Sequence, residues 1–362
     1  MGKYYFGEAV IPEWAEQDAV ILAWPNDRMD WVDYLEMVHA CYLEIISAIL
    51  EHTHVVLLVD REDDLPVGFM HRWTEKPHSV ILINDFLLND TWMRDVMPLF
   101  GMLEESKVAR DFGFNGWGLK FPANHDNTAV RRLFKERTLF HTGEQDNDSV
   151  VLLPKQDYIL EGGAIESDGR GTLMTTDSVI CEANRNVLSE NRNYQIERLK
   201  EAFAIHNIYS LGVQAMRGDD TDGHIDTLAR FIDEHTIVYN YTEDKDDVHY
   251  DLMQVLQKEV QAMLDIDSKP YECVPLPIPS PIFDEDGMQL PATYANFLIT
   301  NGAILVPIYQ DPMDQVALKV IQDLKPEYKV VGIDCRALIL QHGSLHCITM
   351  QVPKGFLNPK YL

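Results

Sequence analysis

Positive charge is scarce in this chain. Lys and Arg number 30 against 58 Asp and Glu, a net charge of −28. Such a polyanion is repelled by phosphate backbones and anionic lipid surfaces, which excludes nucleic acid and membrane as partners. The excess serves solubility in any case; its sharper reading is an acidic cleft for a cationic substrate. No run of 18 or more apolar residues occurs, so no transmembrane helix is expected. The opening "MGKYYFGEAVIPEWAEQ" lacks the apolar stretch of a secretory signal. Cysteine is sparse too: positions 41, 181, 273, 335 and 347, odd in number and without a CxxC pair. That pattern predicts reduced thiols in a cytoplasm, with neither a disulfide framework nor a zinc knuckle. Low-complexity tracts, Pro/Ser linkers and long charge runs are also missing, so nothing cuts the chain. With 46% hydrophobic and 24% charged residues it can build a sizeable core, and the expectation is one domain over residues 1–362.

What is present is a set of short apolar runs: "HVVLLVD" (54–60), "HSVILIND" (78–85), "HTIVYNY" (235–241), "GAILVPI" (302–308) and "YKVVGID" (328–334). Each has the length and β-branched content of a buried strand. Helical periodicity predicts helices over 33–51, 191–203, 249–264 and 312–324, the last with Asp311 as N-cap and Pro312 at the first helical position. In order, these elements repeat. "LEGGAIESDGRGTLMTT" (160–176), "GHIDTLARFIDEHTIVYNY" (223–241) and "YANFLITNGAILVPIYQ" (294–310) each read as a hairpin, and a helix follows each. Hairpin-then-helix units about 60–70 residues apart suggest about five pseudo-repeats around an axis. The alternative is a conventional doubly wound sheet.

Four separated stretches gather reactive residues. "NDTWMRD" (89–95) bunches Asp90, Trp92, Arg94 and Asp95; taken alone it is a polar turn with one ion pair. In "YILEGGAI", Glu161 sits in an apolar strand-like run before two glycines, and an unpaired buried carboxylate there needs a partner or a task. In "DDTDGHIDTLARF" (219–231), His224 and Asp226 are i and i+2 on an expected strand, both projecting from one face about 7 Å apart. That suits a base beside an anionic binding group, or a metal pair. Asp220, Asp222 and Gly223 fit part of a calcium loop, but Gly218 and Ala229 fall where ligands would be required. The last stretch, "HGSLHCITMQVP" (342–353), reads as a strand, which would turn His346 and Cys347 to opposite faces.

The stretches "WMRD", "EGGAIE", "GHIDTLARF" and "GSLHC", in this order, resemble the agmatine deiminase family, guanidine-modifying enzymes related to bacterial-type peptidyl-arginine deiminases. "IPEWAEQDAVILAWP" (11–25) is also typical of that family. The resemblance implies an α/β fold: a five-bladed pseudo-symmetric propeller of ββαβ units with the active site in a central channel. It implies Cys347 as nucleophile, His224 as general acid/base, and Asp95, Glu161 and Asp226 as the acidic site positions. Trp92 and Trp117 match the aromatic walls, and Asp220 the acid that reaches the far amine of agmatine. One departure is "QHGSLHC", where many agmatine deiminases read Gly-Gly-Gly-Asn-Ile-His-Cys.

The reaction so implied is hydrolysis of agmatine to N-carbamoylputrescine and ammonia, in putrescine synthesis, with no metal and no organic cofactor. Its partner is a small cationic guanidine, and a homo-oligomer is compatible with it. Within the family the alternative is a peptidyl-arginine or other small-guanidine deiminase. From another class, the alternative is a metal-dependent hydrolase using His224 and the 219–226 acids. Chemically, paired carboxylates can hold the planar cationic guanidinium while a thiolate attacks its carbon.

Overall fold

The computed structural model describes residues 9–142, 149–205 and 207–362. The chain enters through strands β1 (Gln17–Ala23), β2 (His54–Leu58) and β3 (Val80–Ile83), which pair in parallel. Four three-stranded sheets follow: β4 (Leu99–Leu103), β5 (Ser106–Gly113) and β6 (Val150–Ile159); β7 (Glu166–Ser167), β8 (Thr172–Thr176) and β9 (Asn207–Leu211); β10 (Ala229–Asp233), β11 (Thr236–Asn240) and β12 (Glu272–Leu276); β13 (Leu298–Thr300), β14 (Ala303–Ile308) and β15 (Lys329–Asp334). In each, the first pair is antiparallel and the second parallel. The last strand, β16 (Met350–Pro353), returns to pair antiparallel with β1, which gives the first sheet the same pattern. Five small mixed sheets sharing this pattern, the first with β3 added, thus replace the single doubly wound sheet.

The connections explain the pattern. An antiparallel pair closes through a tight turn, as at Asn301–Gly302 between the partners Thr300 and Ala303, where Gly302 takes φ 76°. A parallel pair needs a crossover, and a helix supplies it. Leu35–Ile49 links β1 to β2, Arg192–Phe203 links β8 to β9, Tyr250–Gln261 links β11 to β12, and Asp314–Leu324 links β14 to β15. Helix Leu35–Ile49 buries Val38, Cys41, Tyr42, Ile45, Ile46 and Ile49, an i, i+3/i+4 stripe, and packs against β2 and β15. Each such side chain contributes roughly 1.5–3 kcal/mol of transfer free energy. Asp311 is not the N-cap: the fourth of these helices starts two residues later, after Met313, and Asp311 instead accepts from the Met313 amide at 2.8 Å. All five cysteines are free, and no helix among the described residues is long and apolar enough to cross a membrane.

Candidate active site

The site residues come from equivalent places in the fold. Asp95 lies just before β4, Glu161 and Gly163 before β7, His224 and Asp226 before β10, Asn296 before β13, and Cys347 before β16. Each junction is a short turn that ends the preceding connection and opens an antiparallel pair. Three expectations therefore need correction. His224 and Asp226 are not on a strand: His224 caps the 3-10 turn Ile225–Thr227. Cys347 is also in a turn, and the strand begins only at Met350. Glu161, likewise, precedes the 3-10 turn Gly162–Ala164 instead of lying in a strand. These turns are apolar because they are buried, which is why they imitate strands in sequence.

Side chains converge on Gly163. A methyl group built on its α-carbon would lie 2.7 Å from His224 Nδ1 and 3.0 Å from both Asp226 Oδ2 and Asp95 Oδ1. The Gly163 amide donates to Asp95 Oδ1 at 2.9 Å, and Trp117 Nε1 donates to Asp95 Oδ2 at 2.9 Å. Trp117 holds a left-handed backbone, φ 53°, between Gly116 and Gly118. For a bulky residue that is a strained conformation of the kind functional sites retain. His224 Nδ1 lies 3.6 Å from Asp95 Oδ1, and Nε2 lies 4.0 Å from Glu161 Oε2. Glu161, fully buried, has the partner that its burial demands: Arg185 Nε donates to both its oxygens at 2.9 and 3.1 Å. The same guanidinium reaches Asp222 and the Thr221 carbonyl, tying the 219–224 loop to Glu161. At this site two buried polar atoms, His224 Nε2 and Asp226 Oδ1, have no hydrogen-bond partner among the described residues. Buried polar atoms are rarely left so, and a functional site is a standard reason.

Above these groups lies a cavity of about 330 Å³ lined by Trp92, Asp95, Trp117, Asp220 and Cys347, with Asp30 and Asp90 at its wall. None of the described lining residues is Lys or Arg. Trp92 stands against Gly343, where any Cβ would meet its ring at 2.0 Å, and its Nε1 donates to Asp90. Cys347 is held by Asn296, whose Oδ1 accepts from the amides of His346 (2.9 Å) and Cys347 (3.3 Å) and from Sγ at 3.4 Å. Burial, together with Asp226 and Asp95, pushes the Cys347 thiol well above its ordinary pKa. Burial likewise raises the Asp95 carboxyl, against the pull of His224. At Asp226 burial is outweighed by the hydrogen bond and charge of His346, and the carboxyl stays below its usual value. Asp220 is raised to about 6 by burial and by its neighbour Asp219.

The sequence reading missed several residues of this centre. His346, expected to leave on an unrelated face, donates from Nδ1 toward Asp226 Oδ2, with its Nε2 at Glu13 Oε2, 2.7 Å in each case. Asn296, Glu13, Arg185 and Arg230 carry no local sign of being partners of site groups, whereas Arg94 is half of an ion pair. Its partner is Glu13, at 3.1 Å. The available signal was charge inside apolar runs. Among the described residues no three His, Cys, Asp or Glu side chains are placed to share a metal ion, the arrangement that a metal hydrolase built on His224 would need.

Fold and cavity together define a class: mixed α/β proteins that bring a cysteine, a histidine and carboxylates from separate repeats to an acidic cavity. The chain belongs to the Porphyromonas-type peptidyl-arginine deiminase family, whose model matches residues 9–353. It is similar to a candidate arginine deiminase of Porphyromonas gingivalis, at 45% identity and TM-score 0.85, over 96% of this chain and 99% of that one. A C. jejuni agmatine deiminase solved with substrate bound is 35% identical, with TM-score 0.83 and 96% of each chain covered. A Vibrio parahaemolyticus protein carrying a provisional agmatine deiminase name is 29% identical over 92% of this chain and 93% of that protein.

Proposed function

We propose that the protein is a hydrolase that deiminates agmatine to N-carbamoylputrescine and ammonia, a step toward putrescine, through a covalent intermediate on Cys347. The observation that carries this reading is the pair of orphaned atoms, His224 Nε2 and Asp226 Oδ1, buried beside a cavity walled by acids, tryptophans and a cysteine. The five sheets act as blades of a propeller around that channel. Asp226 and Asp95 hold the guanidinium nitrogens, and the cation offsets the two carboxylates that keep the thiol protonated. Cys347 then passes its proton to His224 and attacks the guanidinium carbon as thiolate. His224 gives a proton to the departing ammonia, leaving a thiouronium, and afterwards takes one from the water that cleaves it. Glu161, neutralised by Arg185, steadies His224. Trp92 and Trp117 flank the chain of the substrate, and Asp220 receives its far amine.

A second reading, deimination of arginine or of peptidyl-arginine, is favoured by the 45% identity to the P. gingivalis protein and by the name of the family. A panel of guanidines separates the two. An α-carboxylate placed about 6 Å from Asp220 costs roughly 3 kcal/mol at an effective dielectric of about 20, or two orders of magnitude. Agmatine should therefore exceed free arginine at least about 100-fold in kcat/KM, and Cys347→Ala should abolish turnover. Turnover of a blocked arginine amide equal to that of agmatine would assign the protein to the peptidyl-arginine branch.

A further inference from the structure

His346 is a deeply buried titratable group at the site that the mechanism above does not use. Its side chain is 2% exposed. Both ring nitrogens lie 2.7 Å from carboxylate oxygens, Nδ1 from Asp226 Oδ2 and Nε2 from Glu13 Oε2. A neutral imidazole carries a hydrogen on one nitrogen only, so it can donate to one of the two; an imidazolium donates to both. Nor does Glu13 have room for a proton. Its Oε1 accepts from the Ile299 amide at 2.6 Å, and its Oε2 faces Arg94 at 3.1 Å and Arg230 at 3.3 Å besides His346. Arg230 is paired with Glu166 on its other side. Three carboxylates (Glu13, Glu166, Asp226) thus meet two guanidiniums, and a protonated His346 makes the buried cluster neutral, the condition under which buried charge is tolerated.

We propose that His346 is a positioning residue: an imidazolium held between Glu13 and Asp226, it occupies one oxygen of Asp226 and aims the free Oδ1 at the guanidinium of the substrate. This rests on the functional reading above. The arrangement is reinforced from the backbone, because the Asn296 oxygen that receives the Cys347 thiol also accepts from the His346 amide, and the Asn296 amide donates to the Asp226 carbonyl at 3.3 Å. Nucleophile and guanidinium-holding carboxylate are thereby fixed to one another through neighbouring residues of a single turn. Glu13, at the far end, joins the segment preceding β1 to the site.

Two measurements test it. Neutron diffraction from crystals of the deuterated full chain at pH 8 should show deuterium on both ring nitrogens of His346; a ring deuterated on one nitrogen overturns the proposal. Calorimetric titration of agmatine into the Cys347→Ser protein reads binding without turnover. There His346→Asn should weaken binding about 10- to 100-fold, the worth of a charge-assisted hydrogen bond. Asp226→Asn should do the same, and the double variant no more than the worse single one, since His346 acts through Asp226. Additive losses, or unchanged binding by folded His346→Asn, overturn it. Failure of the Cys347→Ser protein itself to bind any guanidine would instead refute the functional reading, and the neutron map would still decide the charge of His346.

Discussion

Replacing Gly163 by alanine adds one methyl group where three charged or titratable side chains meet. The backbone tolerates it, since Gly163 is not among the positive-φ glycines. The side chains do not. The new carbon would sit 2.7 Å from His224 Nδ1, and reaching an ordinary 3.4 Å contact requires a displacement of about 0.7 Å. His224 is 1% exposed and Asp226 fully buried, so any shift takes them out of the arrangement described, and Asp95 would have to leave its hydrogen bond with the Gly163 amide. Overpacking of this kind typically costs about 1–3 kcal/mol, which the fold should survive. Misplacement of reacting groups by up to an ångström costs about 100-fold in rate. The expected outcome is a folded protein with kcat/KM for agmatine reduced about 100-fold, read by ammonia release beside a urea melt. Gly162→Ala is the contrast: its methyl group would meet the Arg94 backbone carbonyl at 2.2 Å, so stability should fall further than in Gly163→Ala. Activity of Gly163→Ala within a few-fold of the unaltered protein would refute the claim that these groups converge for chemistry.

Arg185→Ala leaves the Glu161 carboxylate buried without its partner and should destabilise by about 3–5 kcal/mol, read as a lower urea midpoint; an unchanged midpoint would contradict the pairing. Because burial and the acids Asp226 and Asp95 push the Cys347 thiol up, iodoacetamide should inactivate the free protein slowly at pH 7. The rate should rise about tenfold per pH unit toward 9, and a plateau at neutral pH would mean a thiolate already formed. Asp220, raised to about 6, is anionic only above that pH. So kcat/KM for agmatine should fall as pH drops through 6, and Asp220→Asn should remove that limb of the profile. An acidic limb that persists unchanged in the variant would show that another group carries it.

Much of the scaffold could be read from local pattern. The runs at 54–60, 235–241, 302–308 and 328–334 became β2, β11, β14 and β15, and the Asn301–Gly302 turn fell where the dipeptide placed it. Periodicity and turn chemistry act over a few residues, so a single sequence displays them. The turns that carry Cys347 and His224 were misread as strands because their apolar character reflects burial, not pleat. What holds the Cys347 turn lies far along the chain: Asn296, some 50 residues away, accepts the amides of His346 and Cys347. Glu161 showed that it needed a partner, but nothing nearby in sequence identified Arg185. Similarly, the His346–Glu13 contact spans 333 residues, and only the closed fold reveals it.

Because each junction contributes its own side chain, no fragment of the chain owns the pocket. Asp95 and Cys347 belong to the second sheet and the first, and they meet only after β16 has found β1 across more than 300 residues. Closing such distances carries an entropic toll and slows folding. Helices and hairpins, being local, can form long before that closure. In a refolding chain the recovery of catalytic competence would then trail the recovery of helical signal, and guanidine binding would serve as a clock for the pairing of β16 with β1.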